Sequence, residues 1–209
     1  MSISKQKRVA LYFGTFNPIH VGHLAIANYI AQQDEVDEVW LVVSPQNPLK
    51  EKASMLADYH RLAIVREAIA DNPLLIASDI EFNLAKPSYT IDTLAYIQEK
   101  YPDYSFSLIV GEDNLRSFPK WKNFDVILAN YQLWVYPRHT TMYDLENRGD
   151  ETIVNELYAN KNVHFLRNVP LMAISSSFIR DQIKQNKSPK YLLTPPVLKY
   201  IEEMHFYKK

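Results

Sequence analysis

Six short apolar runs, separated by helix-length segments, leave this chain of 209 residues few ways to fold. The runs are Val9 to Phe13, Val39 to Val43, Leu74 to Ala77, Phe106 to Val110, Gln132 to Tyr136 and Val163 to Leu166. Each is of strand length, and their near-continuous Val, Leu and Ile suits strands buried on both faces. Between them the period changes. Leu62, Val65 and Ile69 follow i, i+3, i+7, and Ile91, Leu94 and Ala95 follow i, i+3, i+4, so each set marks one buried helical face. Alternating strands and helices predict an α/β fold with a parallel sheet, helices on both faces, and ligands bound at the carboxyl ends of the strands near a switch in strand order. Gly14, Ser44, Gly111 and Arg138 all follow expected strands and are predicted to share one rim. Arg138 to Asp150 and Pro45 to Ser54 read as loops. A last helix with Val197, Tyr200, Ile201 and Met204 on one face is expected to pack back as a small helical C-terminal subdomain. With 47% hydrophobic residues, the chain can bury roughly 70% of its unfolded surface. That suffices for one domain over residues 1–209, with 170–209 as a C-terminal helical elaboration.

Composition removes several functions. A formal charge of -1 and a pI near 6.6 argue against a broad basic face for nucleic acid, so any anion site must be local. There is no cysteine, hence no disulfide framework, thiolate nucleophile or Cys-based zinc site. The first residues, Met1 to Arg8, are too polar for a signal peptide, and runs such as Val39 to Val43 fall far short of the ~20 residues that span a bilayer. The expectation is a cytoplasmic protein with no membrane partner; a homo-oligomer is compatible with the sequence.

The strongest chemical signal is Gly14 to His23, GTFNPIHVGH, directly after the first apolar run. A strand ends at a glycine, and after one turn a helix is expected to open carrying His20 and His23, so backbone N–H groups and two imidazoles converge where an anion can sit. Gly14 is read as letting the main chain approach a ligand, and Pro18 as fixing its own φ just before the helix. Gly22, a poor helix former, implies a close ligand or packed neighbour. The i, i+3 spacing puts both imidazoles on one face. Such a pair also suits a metal, but the local sequence supplies Asn17 and no carboxylate until Asp34, which favours phosphate. Ser175, ahead of an apolar helical pattern, reads as an N-cap with Ile174 and Ile179 as a hydrophobic staple. A helix start of that kind also offers N–H groups to phosphate, with Arg180 little more than a turn further on. Asp34, Glu35, Asp37 and Glu38 read as a solvated loop, and His60, His139, His164 and His205 carry no motif.

GTFNPIHVGH resembles the HxGH signature of the nucleotidyltransferase superfamily, and Ile174-Ser175-Ser176-Ser177-Phe178-Ile179-Arg180 resembles its ISSTxIR motif. With Ser88-Tyr89-Thr90-Ile91-Asp92-Thr93-Leu94, Gly111-Glu112-Asp113 and Trp121, the pattern is similar to the bacterial nicotinate-nucleotide adenylyltransferase family from about Arg8 to Tyr207. The resemblance implies a Rossmann-like, doubly wound sheet and adenylyl transfer from ATP to nicotinate mononucleotide in NAD biosynthesis, with release of pyrophosphate. It implies that His20 and His23 contact the α-phosphate region and that Ser175, Ser176 and Arg180 take the β- and γ-phosphates. Gly14, Thr15, Phe16, Asn17, Gly111 and Ile174 complete the ATP site, with Asp113 beside the adenosine ribose. Tyr89, Thr90 and Trp121 correspond to recognition elements for the nicotinate ring and its carboxylate. Lys50 supplies a cation to the phosphates, and Leu49 stands where the family usually has histidine. Mg²⁺ accompanies the triphosphate, held mostly by phosphates and water, so no protein metal site is expected.

The rival readings within the superfamily are transfer to another acceptor, such as nicotinamide mononucleotide or phosphopantetheine. A non-catalytic nucleotide-binding regulator is the rival from another class. A Ser/His/Asp hydrolase lacks its GxSxG elbow, and a dehydrogenase lacks GxGxxG in a chain with four glycines.

Overall fold

The computed structural model describes residues 6–45, 55–137, 151–167, 169, 171 and 173–208, and only the backbone over 151–154. Among these residues every expected apolar run becomes a strand: β1 (Lys7–Gly14), β2 (Glu38–Val43), β3 (Leu75–Ser78), β4 (Tyr104–Gly111), β5 (Gln132–Tyr136) and β6 (Val163–Phe165). They form one parallel sheet in the order β3-β2-β1-β4-β5-β6. The helices are α1 (Val21–Ile30), α2 (Asp58–Ile69), α3 (Thr90–Lys100), α4 (Glu112–Ser117), α5 (Phe124–Asn130), α6 (Glu151–Ala159), α7 (Ser176–Lys184) and α8 (Pro195–Glu203). Strand order reverses between β1 and β4, which opens a crevice above their carboxyl ends.

Alternate strand residues feed two separate cores, because successive side chains leave a strand on opposite faces. Ala10, Val39, Leu41, Val43, Ile109 and Trp134 pack with helices α1, α2, α7 and α8, whereas Val9, Leu11, Val42, Leu108 and Val135 pack with α3 to α6. This two-sided burial is what the near-continuous apolar runs require. β3 is one of the two edge strands of the described sheet, and its Ile76 is 38% exposed. Leu74 precedes it and is also exposed.

Four sequence expectations are corrected. Ala95 is exposed, since the buried face of α3 runs through Thr93, Leu94 and Ile97. His20 lies ahead of α1 as its N-cap in extended conformation, because Pro18 and Ile19 continue the turn; only His23 is within the helix. Met204 is exposed, since α8 ends before it, while Val197 and Ile201 are buried as expected. The chain leaves α8 through a Schellman turn: His205 takes a left-handed φ of 55° and the N–H of Phe206 reaches the Ile201 carbonyl at 3.0 Å. Nor is the acidic run simply solvated. Asp37 accepts a two-pronged bond from the Arg8 guanidinium (3.1 and 2.7 Å), and Glu38 pairs with Lys7 and accepts from the Trp40 indole at 3.0 Å, clasping β1 to β2. The expected loops Arg138 to Asp150 and, apart from Pro45, Pro45 to Ser54 lie outside the described residues.

Arg61 anchors the crevice from below, inside the α2 face that also buries Leu62 and Val65. It is fully buried and donates to the carbonyls of Thr15 (2.6 Å), Ser44 (2.8 Å) and Leu56 (3.1 Å) while pairing with Asp58 at 2.7 Å. One guanidinium therefore joins the turn after β1, the turn after β2 and the approach to α2. Arg61→Met would leave these oxygens unsatisfied in an apolar setting, and a loss on the order of 3–5 kcal/mol is expected in urea unfolding.

Candidate active site

A cavity of about 380 Å³ occupies the crevice above β1 and β4. Among the residues that line it are Gly14, Thr15, Phe16, Asn17, His20, His23, Gly111, Ile174, Ser175, Ser176 and Arg180, so both motifs meet there across about 150 residues of chain.

The turn after β1 is shaped by its own aromatic residue. Phe16, 1% exposed, takes a left-handed φ of 44°, and its ring folds over Gly14, where a Cβ would come within 2.8 Å of it. Gly14 is thus a glycine at least in part to admit Phe16, and it also lines the cavity. At Gly111 a Cβ would likewise meet the Asp113 carboxylate. The His23 ring stands edge-on to Phe16 (5.2 Å) and Tyr12 (6.0 Å) and stacks with His20 at 3.7 Å. The backbone N–H of His20 donates to Nδ1 of His23 at 3.3 Å, which in the neutral ring puts the proton on Nε2. Packing on two sides and a hydrogen bond on the third fix the orientation of that imidazole. Gly22 is buried and lines the cavity.

Ser175 caps α7: its hydroxyl accepts the N–H of Phe178 at 3.2 Å, and Ile174 and Ile179 belong to one apolar cluster, in keeping with the staple. Ser176 donates to the Pro18 carbonyl at 2.9 Å. Arg180 donates to the Asn17 carbonyl at 2.8 Å and to the Ser177 hydroxyl at 3.1 Å. The N-terminus of α7 is thereby docked on the histidine turn, and the Arg180 fork retains further donors beside the cavity. Asn17, buried, accepts at its Oδ1 from the Leu56 N–H (3.2 Å) and the Tyr207 hydroxyl (2.8 Å).

Other predicted residues stand apart from the cavity lining. Asp113 is in the first turn of α4, and its neighbour Asn114 lines the cavity instead. Tyr89 stands at the N-cap position of α3 and Thr90 is its first residue; Trp121 lies beyond α4 and packs on Phe118 at 5.2 Å. Lys122 joins these two regions, lying 4.9 Å over the Tyr89 ring and pairing with Asp92 at 2.9 Å. The loop before α3 is tethered by Glu81, 2% exposed, which accepts from Thr93 (2.7 Å) and Ser88 (3.3 Å). Lys50 and Leu49 lie outside the described residues. The sequence reading passed over Arg61, Tyr207, Tyr12, Ile109, Asn114 and Tyr136, none of which carries a local signature. Among the described residues no group of three or more His, Cys, Asp or Glu is placed to hold a metal ion, and no helix is long and apolar enough to cross a membrane.

A family model described as cytidylyltransferase-like matches residues 11–182. The chain is 50% identical over 202 residues to a Flavobacterium psychrophilum protein named "Probable nicotinate-nucleotide adenylyltransferase", covering 97% of this chain and 100% of that one. A protein of the same name from Bacteroides thetaiotaomicron is 39% identical, with coverage of 97% and 95%. In fold, the chain is similar to Plasmodium falciparum nicotinic acid mononucleotide adenylyltransferase complexed with NaAD, with a TM-score of 0.76, 20% identity and coverage of 96% and 97%. Gly14→Ala should force the Phe16 ring off its seat and cost about 1–3 kcal/mol, read by thermal unfolding, with a fall in any activity that depends on His23.

Proposed function

Because the chain belongs to the cytidylyltransferase-like family and, within it, to the nicotinate-nucleotide adenylyltransferases, we propose that it transfers the adenylyl group of ATP to nicotinate mononucleotide. The products are nicotinate adenine dinucleotide and pyrophosphate, in NAD biosynthesis. The observation that carries this reading is the meeting of His20, His23, the α7 N-terminus and Arg180 around one cavity at the strand-order switch.

An oxygen of the acceptor's 5′-phosphate attacks the α-phosphorus of ATP, and the bond from that phosphorus to the bridging oxygen of the β-phosphate breaks with its electron pair leaving on pyrophosphate. The acceptor phosphate is already a competent nucleophile at neutral pH, so the protein's work is alignment and charge stabilisation. In the proposal, His20 and His23 donate to the α-phosphate oxygens, with Nε2–H of His23 the oriented donor. Ser175, Ser176 and Arg180 bind the β- and γ-phosphates at the positive end of α7. Gly14, Thr15, Phe16, Asn17, Gly111 and Ile174 wall the nucleotide, Asp113 approaches its ribose, and Lys50 adds a cation. Tyr89, Thr90 and Trp121 recognise the nicotinate end; the Lys122 bridge supports this by holding their two segments side by side.

ATP enters as its Mg²⁺ complex. Imidazole, guanidinium and hydroxyl donors suit the anion rather than the cation, which keeps phosphate and water ligands. Residues 1–209 are proposed as one domain with 170–209 as its C-terminal elaboration, supported by the shared cluster of α7 and α8 with α1 and α2. A cytoplasmic location is part of the proposal and suits an ATP-consuming step of NAD biosynthesis.

Pyrophosphate release with Mg²⁺, ATP and a panel of acceptors tests the reading: nicotinate mononucleotide should be turned over best, and preference for nicotinamide mononucleotide or phosphopantetheine would overturn the specificity. His20→Ala or His23→Ala should lower kcat by about 10²- to 10³-fold. Arg180→Lys, which keeps the charge and loses the planar fork, should weaken ATP binding in equilibrium titration.

A further inference from the structure

The C-terminal tail reaches a residue that lines the site, Asn17. After the Schellman turn at His205, Phe206 packs on His60 at 4.7 Å, and His60 is itself bonded to the Tyr200 hydroxyl at 3.0 Å. Tyr207 then takes a left-handed φ of 62°, a conformation that costs an L-residue roughly 1–2 kcal/mol, and so requires compensation from its contacts. The compensation includes a 2.8 Å hydrogen bond from its hydroxyl to Oδ1 of Asn17, 190 positions away in sequence. Burial pushes the Tyr207 hydroxyl above the ordinary phenol value, against the opposing pull of the Arg180 and Arg61 guanidinium groups, so it is a proton donor throughout the neutral range.

We infer that Tyr207 is a positioning residue for the polyphosphate site, acting through Asn17 on the turn that carries His20. Asn17 is where the grips converge. Its side chain takes Tyr207 and Leu56, its own carbonyl takes Arg180, and the next carbonyl, that of Pro18, takes Ser176. The tyrosine makes a third hold on this segment, beside those from α7 and from the approach to α2. A shift of the Asn17–Pro18 segment moves His20 and the Arg180 fork together. Its effect should therefore fall on the nucleotide rather than on the acceptor, whose proposed recognition residues lie at α3 and Trp121. This inference rests on reading the cavity as the ATP site.

Tyr207→Phe removes one oxygen and keeps the ring. The expected result is a fall of about tenfold in kcat/KM for ATP, the equivalent of one well-placed hydrogen bond, with the acceptor KM within about twofold of the parent. Titration of Mg²⁺ and ATP into the protein without acceptor should show weaker binding by a similar factor. That titration stands apart from acceptor identity, so turnover of a different acceptor would overturn the proposed specificity and leave the inference about Tyr207 intact. Phe206→Leu serves as the contrast, trimming the packing of the tail without touching the hydroxyl; it should lower the thermal midpoint and leave the ATP parameters at parent values. Unchanged ATP binding and kcat/KM in Tyr207→Phe would overturn the inference. So would a parallel rise in both KM values, or equal changes in the ATP parameters from Phe206→Leu.

Discussion

Three main-chain carbonyls of the turn after β1 are held by side chains from other elements: Thr15 by Arg61, Asn17 by Arg180 and Pro18 by Ser176. Backbone polar groups in a buried turn cannot be left without partners, and here satisfying them also sets the position of the two imidazoles. Arg61 comes from α2, and Arg180 and Ser176 come from α7, so the turn is a junction where two helices on the same sheet face dock. Aromatic packing completes the hold, because Phe16 can lie over Gly14 only where no Cβ stands, and His23 is then wedged against Phe16 and Tyr12. Such shaping before any ligand arrives is what an alignment mechanism needs, since donors already aimed at the developing charge do not have to reorganise during the reaction.

The two-faced sheet divides the labour. Helices α1, α2, α7 and α8 cover one face, and on that side lie the buried guanidinium and the helix end assigned to the phosphates, with the histidine turn leading into α1. Helices α3 to α6 cover the other face with the segments assigned to the acceptor and the ribose. The crevice between β1 and β4 is where the two halves of the sheet diverge, so a nucleotide placed there can be approached from both sides. Buried Glu81, which tethers Ser88 and Thr93, does for the start of α3 what Arg61 does for the histidine turn.

Much of this was legible in the order of residues. The six strands follow from runs of Val, Leu and Ile, because a strand buried on both faces has to be apolar at every position, and that demand is local. The local shape of the two motifs assigned to phosphate was legible for a similar reason: a turn and a cap are short-range features, and Ser175 caps α7 as its sequence context requires. His20 was placed inside the helix because the extra length of turn at Pro18 and Ile19 cannot be read from spacing, and nor can the path that lays the Phe16 ring over Gly14.

Tertiary structure alone decided which distant groups became partners. Arg61 sits in a helical pattern beside Leu62 and would pass for a surface cation, until burial forces its donors onto Thr15, Ser44 and Leu56. Tyr207 is one of 14 tyrosines, and it meets Asn17 only because α8 ends in a left-handed turn that sends the tail back toward β1. Patterns of burial and capping are written in neighbouring residues, since they depend on the geometry of a single helix or strand. Hydrogen bonds between residues 46 or 190 positions apart depend on how those elements are stacked.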